Sequence, residues 1–238
     1  MIPYSNLLSD IKNGHLSTDY YLETSAALDA KFASLCLVAP PSWQYSTKIF
    51  DQQREHTYDS YYDLYPSRHV SQAWNVIRLI RIRLNEHILE HGRDSPGELG
   101  QKASSPTMAH NKIIILASEI CASVPQYVRC LGAARDILRT KEDFKQSEIT
   151  DNALNQAGHI HSPSQNLACY SLIFPLYVAG RSKSSPKALR LWVIKELHYM
   201  GSHFAIRNAE RAAQIMEQGI DVNPWDVYAM LGSYAFVA

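Results

Sequence analysis

Residues 170–213 read YSLIFPLYVAGRSKSSPKALRLWVIKELHYMGSHFAIRNAERAA, and this stretch decides the fold class. Leu189, Trp192, Val193, Leu197, Met200 and Phe204 recur at three- and four-residue spacing. Such spacing lays one apolar stripe along a helix. Ser185-Pro186 precedes the stripe as a cap followed by proline at the first helical position, where the missing N–H costs nothing. Ala205, Ala209, Ala212 and Met216 continue on a slightly rotated face, with Gly201 as the expected kink and Gly219 as the stop. Upstream, Asn166 to Ala179 is an apolar helix expected to break at Pro175, whose ring removes a donor and crowds the preceding turn.

The same periodicity extends towards the N-terminus. From Thr18, a plausible cap, Tyr21, Ser25, Leu28, Phe32 and Leu35 fall on one helical face, and Pro40-Pro41 stops it. Tyr58, Tyr61, Tyr62 and Tyr65 have three-to-four spacing and read as another helix face. Val70, Ala73, Trp74, Ile77, Leu84 and Ile88 share one stripe, and Leu79, Ile82 and Leu89 add a second, so this helix is expected to lie inside. His91 and Gly92 suit its C-terminus. Ser105-Pro106 opens a helix lined by Ile113, Leu116, Ala117, Ile120 and Val124, which Pro125 ends or kinks. A short helix is expected over Leu131–Leu138, and Asn223-Pro224 starts the last helix, whose apolar tail LGSYAFVA is expected to dock on the core. Residues 92–105 and 141–166 read as loops. No stretch alternates as a strand would. The expected architecture is all-α, an irregular multi-helix array forming a single domain over 1–238.

Composition narrows the function classes. The chain has 238 residues, 46% hydrophobic, with 23 Lys plus Arg against 23 Asp plus Glu. That is a globular composition with no basic excess, which argues against direct nucleic-acid binding. Cys36, Cys121, Cys130 and Cys169 form no C-x-x-C pair, so zinc-finger spacing is missing and reduced, mostly buried thiols are expected. The first residues, MIPYSNLLSDIKNGH, read as neither a signal peptide nor a membrane segment.

Several phrases, in order, carry a resemblance. They are YDLYPSRHVSQAWNVIRLIRIRLNEHILEH (62–91), EICASVPQYV (119–128), YSLIFPLYVAG (170–180), RLWVIKELHYMGSHFAIRNAERAA (190–213) and NPWDVYAMLGSYAF (223–236). Together they resemble the C-terminal regulatory domain of fungal zinc-cluster (six-cysteine) transcription factors. The match covers 62–238 closely and 17–61 loosely. The resemblance implies an all-helical regulator that responds to an effector or a protein partner, often in control of secondary-metabolite genes. It implies a nuclear or cytoplasmic protein whose partners are a full-length paralogue, a second copy or a small apolar effector. The cysteine-rich DNA-binding module of that family does not occur in this sequence.

Chemistry-bearing residues are few. His87-Ile88-Leu89-Glu90-His91 matches H-x-x-E-H, in which two histidines one helical turn apart share a metal. Its place at a helix end equally suits solvated histidines, and the reading assigns no metal ligand. Ser184-Ser185-Pro186-Lys187 contains S-x-x-K, but it reads as a helix start. Arg78 and Arg81 share a face, and Arg83 is within reach of Glu86 and Glu90 for pairing. Glu119 and Glu196 interrupt apolar helices. With Tyr127, Tyr177, Trp192, His198 and Arg207 they form the candidate lining of a ligand pocket. No catalytic residue or cofactor is assigned. The alternative function is a stand-alone binding protein or a cyclase/isomerase-type enzyme acting on an apolar natural product, which requires an enclosed, aromatic-lined cavity.

Overall fold

Most of the chain is helical in a computed structural model that describes residues 7, 9, 18–52, 54–91, 105–129, 161–220 and 222–232. Helix α1 spans Thr18–Leu37 and ends before Pro40-Pro41, as the sequence predicts. A 3₁₀ turn follows at Pro41–Trp43. Strand β1 (Ser46–Ile49) then pairs antiparallel with β2 (Tyr61–Leu64), Ser46 opposite Leu64 and Ile49 opposite Tyr61. Next come α2 (Arg68–His91), α3 (Pro106–Ala122) and the short α4 (Pro125–Val128). The C-terminal part contains α5 (Pro163–Arg181), α6 (Lys187–His203), α7 (Arg207–Glu217) and α8 (Pro224–Leu231).

Helix α5 is the centre of the array. It packs on α2, α3, α6, α7 and α8. Every residue from Ser171 to Gly180 is buried, so the helix is covered on all sides. Its start is set by Ser162, whose Oγ accepts from Gln165 N at 3.2 Å. Ser105 and Asn223 cap α3 and α8 in the same way, which bears out the expected Ser-Pro and Asn-Pro starts. Helices α2 and α3 pack beside it, and α1 packs on α2. Asp29 of α1 is buried and ties this group together, accepting from Arg81 Nε and Lys112 Nζ at 2.8 Å each.

Several expectations need correction. Pro175 lies inside α5 without breaking it. Neighbours on every face hold the helix through the loss of one hydrogen bond. Residues 163–166, expected in a loop, form the first turn of α5. Ser185 is no cap: its hydroxyl donates to Ala179 O at 2.6 Å, and Pro186 is the cap residue without a side-chain bond. Gly201 is no kink. A Cβ there would stand 2.9 Å from Glu210 Cβ, so glycine lets α7 approach α6 closely. The break falls instead at Phe204–Ile206, where Ala205 takes φ 54°. The expected tyrosine helix is a strand: Tyr61 and Tyr62 sit in β2, with Tyr65 just beyond. Pro125 opens α4 after α3 has ended. The helix expected over 131–138, the loops at 92–104 and 141–160, Cys130, Gly92 and residues 233–238 lie outside the described residues.

Candidate functional site

Three polar nodes tie separate elements of the fold together. In the first, Arg78 of α2 is buried against β2 and α3. Its Nη1 donates to Tyr65 Oη at 2.6 Å and Asn75 Oδ1 at 3.1 Å, and its Nε donates to Glu119 Oε2 at 3.0 Å. The Tyr45, Tyr65 and Trp74 rings stand 5.3–5.7 Å from the guanidinium carbon, within cation–π range. Asp63 is also buried, accepts from Thr47 Oγ1 at 2.7 Å and stands 3.7 Å from Arg78 Nη2. Burial pushes the Asp63 carboxyl above its ordinary value despite these partners. Gln126, in the SVPQYV phrase, brackets the end of β2: Tyr65 N donates to its Oε1 at 2.7 Å and its Nε2 donates to Tyr65 O at 2.9 Å.

In the second node, Glu196 is fully buried on α6 and meets His56 Nδ1 at 2.8 Å. Its other oxygen, Oε1, has no hydrogen-bond partner. His56 holds φ 60°, a left-handed conformation uncommon for a residue with a Cβ. In the third, His198 lies between two carboxylates, with Nδ1 2.9 Å from Glu210 and Nε2 3.0 Å from Glu217. Only an imidazolium donates from both nitrogens, and these bonds raise the His198 pKa.

A cleft of about 1150 Å³ opens between the second half of α2, the start of α3, the end of α5 with its following loop, and the α7–α8 connection. Its wall carries four Arg and Lys residues (Arg83, Arg181, Lys183 and Arg190) against Glu86 and Glu90. Arg83 is paired with Glu86. Arg190 donates to the carbonyls of Gly180 and Arg181 at 3.0 and 3.1 Å. Lys183 is exposed at the mouth. The volume is that of a ligand pocket, and the lining mixes these charged groups with apolar side chains such as Leu89, Met216 and Ile220.

Of the seven residues proposed as a pocket lining, Tyr177 alone faces this cleft. Glu119 belongs to the Arg78 node, and Glu196 and His198 belong to the other two. Tyr127 donates its hydroxyl to Ser67 O at 3.3 Å. Trp192 packs edge-on to Tyr58, and Arg207 is exposed at the start of α7. The seven do not converge. The structure adds His56, Asp63, Arg181 and Lys183. For the last two a signal existed, the basic Ser-rich run RSKSSPK before a helix. For the first two none did.

The buried thiols of Cys121 and Cys169 are poor nucleophiles. Burial pushes the Cys169 thiol up to about 12 and the Cys121 thiol well above its ordinary value. Among the described residues no helix is long and apolar enough to cross a membrane. No family model, curated protein or solved structure matches the chain.

Proposed function

We propose that this chain is a transcription-factor-like regulatory domain that responds to a small effector in the cleft. One observation carries the reading. The segments whose wording resembles the fungal regulatory domain contribute part of the cleft wall: Arg83, Glu86 and Glu90 from 62–91, Tyr177 from 170–180, and Arg190 from the phrase that follows. In this reading the domain contacts a protein partner, such as a full-length paralogue, and sets its activity, in keeping with control of secondary-metabolite genes.

The character of the wall bears on the alternative of an enzyme for apolar natural products. Tyr177 and His110 supply its aromatic rings, among many charged groups. A hydrocarbon skeleton would have to strip water from those charges without compensating them, which is unfavourable. An effector that joins polar or charged groups to an apolar part suits this cleft better than a bare hydrocarbon.

The test fuses the chain to a heterologous DNA-binding module upstream of a reporter. Small-molecule extract should change the output, and Arg181→Glu combined with Lys183→Glu should remove the response. An unchanged reporter, together with no ligand mass retained in native mass spectrometry, would reject the reading.

A further inference from the structure

We propose that His87, Glu90 and His91 form a binding site for a divalent transition-metal ion of the zinc type at the rim of the cleft. Positions i, i+3 and i+4 of a helix share one face, and α2 continues through all three residues. Their donor atoms lie within 4.8 Å of one another. Zinc bonds of about 2.1 Å require donors roughly 3.4 Å apart in a tetrahedron. The excess is small, and Glu90 and His91 are exposed side chains that can close it by changing rotamer.

The surroundings favour a metal over a simple solvated helix end. His87 Nδ1 faces Glu90 Oε2 at 3.6 Å, close enough to pair with it. His87 Nε2 is buried with no hydrogen-bond partner. The ring is therefore engaged on one side only, by Glu90, through the nitrogen that an ion shared with this carboxylate would take. The buried Tyr21 ring of α1 lies 5.5 Å from His87 and 5.4 Å from His91, centroid to centroid, and limits the movement of the largely enclosed His87. Restraint before binding lowers the entropy cost of holding the ion.

Two imidazoles and one carboxylate select the ion. Magnesium and calcium prefer oxygen-only shells, whereas zinc and cobalt accept this mixed set. Glu90 also lines the cleft, so the site borders the space assigned to an effector. Zinc binding is measured on the purified chain without any reporter, so its outcome is independent of the regulatory reading.

The experiment titrates the full chain with zinc in competition with a chromophoric chelator, and melts it with and without the ion. One equivalent should bind, the melting temperature should rise, and magnesium should not compete. His91→Ala, at an exposed position, and His87→Asn should each weaken binding by roughly tenfold or more. His69→Ala, at the other end of α2, should leave it unchanged. Wild-type chain that does not compete with the chelator would overturn the proposal. So would His91→Ala that binds zinc as tightly as wild type, because the ion would then sit elsewhere.

Discussion

His56 Nδ1 lies 2.8 Å from Glu196 Oε2 although the two residues are 140 positions apart. This contact fixes the loop between β1 and β2 onto α6, and so joins the N-terminal part of the chain to the C-terminal helices. The His56 ring also packs on Tyr199, with centroids 4.2 Å apart. A left-handed backbone at His56 is the cost of aiming the ring into this position.

Glu196→Ala removes the partner of an enclosed His56 and opens a void beside it. The expected loss of stability is about 3–5 kcal/mol. Glu196→Gln retains shape and an acceptor and should lose about 1–2 kcal/mol. Urea unfolding of both variants measures this. Equal midpoints for Glu196→Ala and wild type would mean that the contact holds nothing in place.

Arg78 serves Tyr65, Asn75 and Glu119 at once. Arg78→Met leaves Asp63 buried without a cation, and a loss of about 3–5 kcal/mol is expected. Arg78→Lys should recover only part of it, because an ammonium lacks the planar fork that reaches three acceptors. Chemical denaturation of the two variants, compared with Asp63→Asn combined with Arg78→Met, tests the assignment. The double variant should be more stable than Arg78→Met alone.

Gly201→Ala places a methyl group 2.9 Å from Glu210 Cβ and 3.2 Å from its Cα. Alanine is the better helix former, so propensity alone would stabilise α6 by about 1 kcal/mol. Overpacking should exceed that gain, and a net loss within about 1–3 kcal/mol is expected. A melting temperature above that of wild type would show that α7 can move away freely.

His198 links α6 to α7 through Glu210 and Glu217, and its pKa is raised by its hydrogen bonds to them. A raised histidine pKa means that the folded state binds the proton more tightly than the unfolded state. The resulting stabilisation is fully present below the ordinary histidine value of about 6.5 and fades as pH climbs through the higher folded value. His198→Ala should therefore lower the melting temperature more at pH near 5.5 than at pH near 8.5. The reverse order would contradict the assignment.

The helices were legible in the sequence because helix formation there rests on local information. Apolar spacing, the Ser105-Pro106 and Asn223-Pro224 starts and the double proline after α1 act within a few residues, and the structure places helices where they indicate. The Arg83–Glu86 pair was legible for the same reason, since its partners lie one turn apart. The tyrosine run failed because spacing of three to four in a short segment fits a strand with flanking bends as well as a helix. Pairing with β1 decided between them. Pro175 failed because its local penalty is offset by packing from helices that the local pattern does not contain.

The candidate site was much less legible. Glu119 and Glu196 stood out as carboxylates in apolar helices, but which cation or ring each would meet depended on residues 41 and 140 positions away. Such partners leave no periodic trace. The H-x-x-E-H spacing was visible, whereas the unpartnered His87 nitrogen and the Tyr21 ring beside it were not. The sequence alone determined the helical class and most helix ends, because hydrogen bonding and side-chain pattern within a helix are short-range. The tertiary structure alone decided the hairpin, the buried charge pairs and the cleft, because each depends on surfaces brought together only when the helices pack.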